Sequence, residues 1–471
     1  MKRLFIILIM GTVVVSSCKK DFLRLDPFEQ LPTEEAITDE SRMQTAIYGM
    51  YAQLRNANLY GRSVPLFGDL MADNVFISTT NSNRYLAEYN YTFTSTAANA
   101  SATWAAAYNG ILRANNIINS TLPVTTLSSQ LKGEALTVRA LLYFNLINWF
   151  AKQYTVDPAS DGVPLILVYD AYLKPPRSKV SEVYTQIEKD LSDAFGLMTV
   201  TAGSSKNSSY VSKYVAKALQ ARVALFKGDY VNAKAYAQEV VTSGNYSLAA
   251  STAYVDYWKV AAPIATRVET IFEVSSDAIT NNGTNALSYF YDQAGYGDAI
   301  SSDDLYNKFT ATDVRRGLYL TGTRGGIQVR IVNKYPNTTN PSDKDEFKII
   351  RYSEILLTLA EANYRLADET NARLYLNMVA QRRDPSLPAI ASTGAALLED
   401  IILERRKELA FEGMRYLDLQ RLNRDVARVA INNNYVGVTP LTIAAGNFRR
   451  IFAIPQDERD VNPNISQNTG Y

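Results

Sequence analysis

The hydrophobic residues of this chain recur at helical spacing over much of its length, and a clear repeat lies between residues 213 and 242. Apolar residues separated by three or four positions form one face of a first helix: Ala216, Leu219, Val223 and Phe226. Gly228 suits the end of that helix, and Asp229 suits the start of a second one. The pattern predicts two helices that fold back on each other across this short turn.

Further segments have the same helical periodicity: 97–120, 133–154, 181–198 and 349–366. In the last of them, polar residues at intervals of three and four predict one polar face: Arg351, Glu354, Thr358, Glu361 and Arg365. A short turn then leads to a helix through Leu374 and Met378, which Pro385 ends. Trp104, in the first segment, is predicted to be a core residue rather than a ligand contact.

These helix pairs have about the size of a tetratricopeptide repeat, and the Gly-Asp-Tyr turn at 228–230 resembles the turn of that family. Such units cannot bury their apolar faces alone, so neighbouring pairs must stack. Residues 276–344 are instead rich in Gly, Asn, Ser, Asp and Tyr, without a long helical period. We therefore predict a mainly α fold, with helix pairs around 40–275 and 345–425 and a loop-rich insertion at 276–344.

The N-terminal residues have the pattern of an export signal. A basic start precedes a mostly apolar run at 4–15, which is too short to span a bilayer as a helix. The sequence Val15-Ser16-Ser17-Cys18 then resembles the lipobox of bacterial lipoproteins. That resemblance implies a signal peptide at 1–17, an acylated Cys18 and a lipidated tether at 18–27. The alternative is an ordinary signal with an incidental cysteine.

The composition excludes several kinds of chemistry. The chain has no histidine, which rules out imidazole acid–base catalysis, a Ser-His-Asp triad and His-ligated zinc. Its 48 basic and 47 acidic residues give a net charge of +1, so the chain as a whole has no electrostatic footprint for nucleic acid. A single cysteine makes intrachain disulfides impossible. The 31 tyrosines suit wet recognition surfaces, although many of them are expected to pack on helices.

One carboxylate pair has the spacing of a catalytic pair. Glu404 and Glu408 are one helical turn apart, so a glycosidase site is conceivable. Basic residues surround them in LERRKELAFEG, which favours ionised carboxylates over a general acid with a raised pKa. We therefore predict a structural ion network and no enzyme. The chain lacks a phosphate-binding loop and EF-hand spacing, so no cofactor is predicted. Binding of a calcium ion by a loop is left as an alternative, and the sequence does not indicate where such a site would lie.

Two tyrosine-rich clusters in loops combine aromatic faces with amide and charged groups, as binding pockets do. The first comprises Asn81, Asn83, Arg84, Tyr85, Tyr89 and Tyr91. The second comprises Tyr289, Tyr291, Asp292, Tyr296 and Asp298. All of these residues except Tyr91 and Asp298 are our predicted ligand contacts. The alternative for each tyrosine is packing within its loop.

Several segments match a known family in order and spacing. They are IIRYSEILLTLAEANYRL, IILERRKELAFEGMRYLDLQR and RRIFAIPQDERDVNPNISQNTGY, together with SCKKDFLRLDP and GDLMADNVF nearer the start. This combination resembles the SusD/RagB family over a body at 28–471, with a family tail at 447–471. The resemblance implies about four tetratricopeptide-like helix pairs and a more irregular ligand-binding part.

The same resemblance implies a location and a function. Family members are lipoproteins on the outer face of the outer membrane that cap a SusC-like, TonB-dependent β-barrel and pass captured glycans to it. Their ligand residues tend to come from the neighbourhoods of the two clusters. Capture of peptides, as in the RagB branch, is one alternative, and a helical scaffold that binds only protein is another.

Overall fold

The structure is a computed structural model that describes residues 36–170, 172–201, 208–259, 269–429 and 441–471. The predicted signal peptide, Cys18 and the tether at 18–27 lie outside these residues. Within them the chain is mainly α-helical, as predicted. Among the helices of these ranges, none combines the length and the apolar character that a membrane span requires.

Helices and short strands follow one another along the described residues. Helices α1 to α16 are, in order, Glu40–Leu54, Ser63–Leu70, Leu86–Asn90, Ala98–Ile118, Thr126–Phe150, Val180–Leu197, Lys213–Lys227, Tyr230–Thr242, Tyr254–Lys259, Ser288–Tyr291, Asp303–Tyr306, Tyr352–Arg365, Glu369–Arg383, Gly394–Glu408, Met414–Arg421 and Gln456–Val461. Strands β1 to β8 are Val75–Ile77, Thr270–Val274, Ala299–Ser301, Tyr319–Arg324, Ile327–Val332, Phe347–Arg351, Val426–Ala427 and Thr442–Ile443.

The helix pair α7–α8 forms as predicted because its turn residues satisfy both helix ends. Gly228 ends α7 with a φ of +80°, a left-handed conformation that favours glycine. The Asp229 carboxylate accepts a hydrogen bond from the Asn232 backbone N–H at 3.1 Å and caps α8. The pair α12–α13 repeats the arrangement, with Asp368 as the N-terminal cap of α13. Helix α5 also packs against its neighbours in the chain, α4 and α6.

One helix boundary differs from the prediction. Residues 349–351 belong to strand β6, which pairs with β2, and α12 begins at Tyr352. A partner strand far away in sequence decides this boundary, so helical periodicity alone misplaces it. Most of the predicted polar face of α12 is buried, although Arg365 is exposed. The buried carboxylates are paired: Glu354 with Arg222 at 2.6 Å and Glu361 with Arg421 at 2.7 Å.

Helix α5 forms the centre of the hydrophobic core and is buried over nearly its whole length. Its buried charged groups have partners; for example, Arg139 pairs with Asp190 of α6 at 2.6 Å. The Trp149 ring near its end stacks on Tyr416 of α15, with ring centroids 5.6 Å apart, and on Phe452 of the C-terminal tail at 5.7 Å. Trp104 is buried, as predicted, and its indole N–H donates to Glu458 at 3.1 Å. These contacts hold the tail against the helical body.

A buried ion network lies where α12, α13 and α14 meet. The Glu408 carboxylate accepts hydrogen bonds from Arg315 at 3.1 Å, Arg351 at 2.8 Å and Arg383 at 2.9 Å. Burial would raise the pKa of Glu408, but these guanidinium charges outweigh it and hold the pKa well below its ordinary value. Glu404 pairs with Arg315 at 2.6 Å. The predicted structural network is confirmed, and neither carboxyl has the raised pKa of a general acid.

The four-stranded antiparallel sheet has the strand order β1-β3-β5-β4 and lies mainly in the predicted loop-rich insertion. Strand β1 comes from much earlier in the chain, and its Ile77 is paired with Ala299 of β3. The first tyrosine-rich cluster follows β1, and the second precedes β3. Because the two strands are antiparallel, their pairing brings the two clusters to the same end of the sheet.

Candidate functional site

The two predicted clusters meet beside the β1–β3 strand pair. The Arg84 guanidinium of the first cluster lies over the Tyr296 ring of the second, 4.1 Å from its centroid. Ser82 donates its backbone N–H to Asp298 at 3.0 Å, and its hydroxyl donates to the same carboxylate. Residues more than 200 positions apart therefore form one surface. We call it the Arg84–Tyr296 surface: Arg62, Arg84, Asn285, Tyr289 and Tyr296.

Two half-buried tyrosine rings give this surface its aromatic character. The ring centroids of Tyr289 and Tyr296 are 5.9 Å apart and their planes are inclined by 59°. A hydrogen bond from Arg84 lowers the pKa of Tyr296 from its ordinary value. Both residues are partly exposed to solvent. The surface thus combines apolar ring area with a guanidinium group that is already oriented.

Three of the predicted ligand contacts are wrong, because their rings are core residues. Tyr85 is 5% exposed and packs edge-to-face on Phe67 and Phe290. Tyr89 is buried beneath the Arg428 guanidinium. Tyr291 is buried, and its hydroxyl donates to Asp69 at 2.7 Å. These rings support the surface from below and cannot stack on a ligand.

Two of the predicted residues shape turns in the loops. The Asn81 side chain donates to the Ser78 carbonyl at 2.7 Å and accepts from the Asn83 backbone N–H at 2.8 Å. The Asp292 carboxylate accepts from the Ala294 backbone N–H at 2.9 Å. Both side chains remain half-buried. Ligand contact by Asn81, Asn83, Arg84, Tyr289, Asp292 and Tyr296 stays a prediction.

Sequence patterns did not reveal two residues that organise the site. Arg62 donates to Asn285 at 3.0 Å and extends the surface away from Tyr296. Arg324 of β4 donates to the carbonyls of Thr80 at 2.9 Å and Tyr296 at 2.6 Å. Arg324 therefore joins both clusters to the sheet. No local signal marks these residues, since each contact joins segments that are far apart in sequence.

A narrow recess of about 40 Å³ borders the surface at Tyr289. Arg55 and Ser276 also line it, and the Asn282 side-chain amide donates to the Arg55 carbonyl at 2.7 Å. The recess is too small for a sugar ring. Its lining includes Tyr289 of the Arg84–Tyr296 surface and Arg55, the residue that follows helix α1.

A separate cavity of about 450 Å³ lies under the C-terminal tail, where Phe448 and Arg450 line it. The buried Arg177 guanidinium in its wall donates to the carbonyls of Gly162 at 2.6 Å and Asp161 at 2.7 Å. Burial lowers the pKa of Arg177 to about 10. The Asp161 carboxylate pairs with Lys179 at 2.7 Å. These charged groups hold the neighbouring loops in place.

The chemistry of the Arg84–Tyr296 surface is that of binding. Its groups are aromatic rings, guanidinium groups and an amide, which stack and form hydrogen bonds. In the part of the chain that the structure describes, no group of three or more His, Cys, Asp or Glu side chains is placed to hold a metal ion.

Two family models together match most of the chain. Residues 279–471 match the SusD family, and residues 21–225 match a family described as starch-binding associating with outer membrane. The chain belongs to the SusD/RagB family. The mainly helical architecture is thus that of a SusD-family protein.

Known proteins resemble this SusD-family chain over nearly its whole length. SusD-like protein P2 of Formosa agariphila is 25% identical and covers 100% of this chain and 99% of its own. The crystal structure of a candidate sugar binding protein from Bacteroides vulgatus has a TM-score of 0.83 and 28% identity, covering 93% of this chain and 99% of that one. A SusD superfamily protein from Bacteroides thetaiotaomicron has a TM-score of 0.79 and 27% identity, with coverages of 91% and 99%.

Proposed function

We propose that this SusD-family protein binds a glycan at the outer face of the outer membrane and delivers it to a SusC-like, TonB-dependent transporter. The Arg84–Tyr296 surface is the observation that carries this function. It presents two partly exposed tyrosines together with Arg62 and Arg84. The family description for residues 21–225, which names starch binding and the outer membrane, supports the same function.

The physical fit to a sugar is direct. A pyranose has an apolar ring face that stacks on a tyrosine, and hydroxyl groups that accept hydrogen bonds from arginine and asparagine. Arg324 of β4 donates a hydrogen bond to the Tyr296 carbonyl, and the Arg84 guanidinium lies against the Tyr296 ring. The Tyr296 side chain is therefore already held in position before a ligand binds. Preorganisation of this kind reduces the entropic cost of binding.

Binding proceeds without turnover. The one carboxylate pair with catalytic spacing, Glu404 and Glu408, is buried in the ion network and paired with arginines. A general acid needs a raised pKa, whereas both of these carboxyl groups have lowered pKa values, because arginine charges outweigh their burial. SusD-family proteins are binding proteins rather than enzymes, in agreement with this arrangement.

The anchor and the partner complete the proposed role. The lipobox-like sequence that ends at Cys18 would attach the mature protein to the membrane through acyl chains. A tether at 18–27 would let the helical body lie on its transporter. A gene for a SusC-like barrel should accompany the gene for this chain, and the two proteins should co-purify from detergent-solubilised membranes.

Calorimetric titration of the purified protein against a glycan panel and a peptide panel tests the binding function. We expect saturable binding of at least one glycan. Binding of peptides alone would favour the RagB-like alternative. No binding to either panel by folded protein, together with co-purification with the barrel, would favour a scaffold without a small ligand.

A further inference from the structure

A second aromatic groove lies on the same side of the molecule as the recess. It has a volume of about 510 Å³, and Tyr48 and Tyr51 of α1, Tyr210 and Arg55 line it. Tyr48 is 52% exposed and Tyr210 is 41% exposed, although most tyrosines near the core are buried. We call it the Tyr48–Tyr210 groove.

The aromatic wall of this groove is fixed before any ligand binds. The Tyr210 ring packs edge-to-face on Tyr51, with centroids 5.4 Å apart, and lies 6.5 Å from the Tyr48 ring. The Tyr51 hydroxyl donates to Glu134 at 2.7 Å and accepts the Val211 backbone N–H at 2.8 Å. The rings therefore project from a rigid wall.

The backbone next to Tyr210 is held from the other side as well. The Glu273 backbone N–H of β2 donates to the Ser208 carbonyl at 2.9 Å, and the Ser208 hydroxyl donates to the Glu273 carboxylate. Residues 208–211 are thus bonded to both β2 and α1. The exposed rings of Tyr48 and Tyr210 are thus held in place and can serve as a platform on which a ligand stacks.

The polar lining indicates what kind of ligand fits. The exposed Asp277 and the half-buried Asp343 line the groove together with one basic residue, Arg55, whereas Glu346 in the same lining is buried. Backbone N–H groups of Thr280 and Ile279 hold the pKa of Asp277 below its ordinary value, so this carboxylate is ionised at neutral pH. Ionised carboxylates accept hydrogen bonds from sugar hydroxyls and repel acidic glycans. The lining therefore favours a neutral glycan.

The groove adjoins the recess that borders the site described above. Arg55 and Ser276 line both the Tyr48–Tyr210 groove and the recess that Tyr289 borders. The Arg55 side chain donates to the Ser275 carbonyl at 3.1 Å, and its own carbonyl accepts from Asn282. The backbone is therefore ordered along the connection. The Tyr48–Tyr210 groove therefore lies next to the recess at Arg55, and Tyr289 of the Arg84–Tyr296 surface borders that recess.

We propose that the Tyr48–Tyr210 groove is a second subsite for the same ligand, and that this ligand is a neutral glycan long enough to reach from Tyr296 to Tyr210. This subsite presupposes the glycan binding proposed above. A short oligosaccharide occupies the Arg84–Tyr296 surface alone, whereas a longer one also stacks on Tyr48 and Tyr210.

The test is calorimetric titration of the purified protein with trisaccharides and heptasaccharides of glucose, xylose and mannose, which compares its affinity for short and long neutral glycans. Galacturonic acid oligomers of the same lengths are the acidic ligands for comparison. Tyr48→Ala/Tyr210→Ala should weaken binding of a neutral heptasaccharide about tenfold and leave its trisaccharide unaffected. Tyr48→Phe/Tyr210→Phe keeps both rings and should retain most of the affinity. Tyr296→Ala should weaken both lengths, and Tyr172→Ala, a 91% exposed tyrosine, is the control.

Different failures have different meanings. Unchanged heptasaccharide affinity in the double alanine variant, with a loss in Tyr296→Ala, overturns the second subsite and leaves the proposed function standing. Loss of trisaccharide binding in the double variant overturns the continuity of the two sites. Galacturonate binding that depends on Tyr48 and Tyr210 overturns the assignment to a neutral glycan. No binding of any neutral oligosaccharide by folded protein contradicts both the subsite and glycan capture from this panel.

Discussion

Carboxyl groups in the core carry different charges according to what surrounds them. Glu408 has guanidinium partners on several sides, and their charges hold its pKa well below the ordinary value despite burial. Asp69 is equally buried, and its close partner is the Tyr291 hydroxyl at 2.7 Å. Burial therefore raises the pKa of Asp69 to about 7. The two groups should affect stability in opposite directions as the pH changes.

Asp69→Asn should remove a pH-dependent loss of stability. The pKa of Asp69 is higher in the folded state than in the unfolded state, so the folded protein keeps a proton that the unfolded chain releases. The stability that protonated Asp69 contributes is therefore lost as the pH rises through about 7. Asparagine stays neutral and can still accept from Tyr291. The variant should gain on the order of 2 kcal/mol relative to wild type between about pH 5 and about pH 8.

Urea unfolding of both proteins across this pH range measures the difference. Asp170→Asn, at an exposed aspartate, is the control and should shift the stability equally at every pH. A constant difference between wild type and Asp69→Asn would contradict a raised pKa at Asp69.

At the residue scale, the sequence revealed local surroundings but not distant partners. The basic residues beside Glu404 and Glu408 in the chain were enough to predict an ion network. Arg315, Arg351 and Arg383, which bond to Glu408, are 93, 57 and 25 positions away, and only the fold brings them there. The burial of Tyr85, Tyr89 and Tyr291 also depends on tertiary packing, since a loop tyrosine has the same sequence signal whether it is exposed or buried.

Helices α2 and α15 approach closely enough that only glycine fits between them. A Cβ atom at Gly68 would lie 1.9 Å from the Gly413 carbonyl oxygen. A Cβ atom at Gly413 would lie 2.6 Å from the Pro65 Cα, and Gly413 has a φ of +75°. The two backbones therefore pack directly on each other, and α2 leads into strand β1, which lies beside the candidate site.

Gly68→Ala should lower the free energy of unfolding by about 2–3 kcal/mol, because backbone rather than a movable side chain blocks the new methyl group. Chemical denaturation measures this loss. Gly196→Ala is the matched control, since Gly196 lies in α6 and no atom lies within 4 Å of the position that a methyl group would take there. Alanine should be neutral or slightly stabilising at that site. Equal stability of the two variants would show that α2 and α15 can separate without cost.

At the element scale, the elements with strong local signals were predictable. Gly228 and Asp229 determine the α7–α8 turn through their own conformation and hydrogen bonds, so the sequence was sufficient there. The start of α12 was misplaced because β6 is defined by its pairing with β2, about 80 residues earlier. The sheet that joins β1 to β3 likewise has no local signature.

For the whole molecule, the location of the site was predictable only in part. Both tyrosine-rich clusters were recognised from their composition, and the β1–β3 pairing brings them together. Their organising residues, Arg62 and Arg324, carry no sequence signal that sets them apart from other arginines. The Tyr48–Tyr210 groove was missed for a similar reason, since Tyr48 lies on an ordinary helix and Tyr210 in a loop.

Cys18→Ala should release the protein from the membrane without changing its fold. The acyl chains would be the anchor, and Cys18 lies before the helical body. Fractionation of cells that lack the barrel partner, followed by immunoblotting, measures the distribution, and circular dichroism of the released protein checks the fold. Retention of Cys18→Ala in the membrane fraction of those cells would contradict the lipobox interpretation.

Glycan binding at the Arg84–Tyr296 surface is tested most directly by calorimetric titration of Tyr296→Ala with the oligosaccharide that wild type binds best. We expect a loss of affinity of about tenfold or more, which corresponds to about 1.4 kcal/mol. Tyr172→Ala should bind as wild type does, because Tyr172 is 91% exposed and lies outside this surface. Full affinity in Tyr296→Ala would place the glycan elsewhere on the protein.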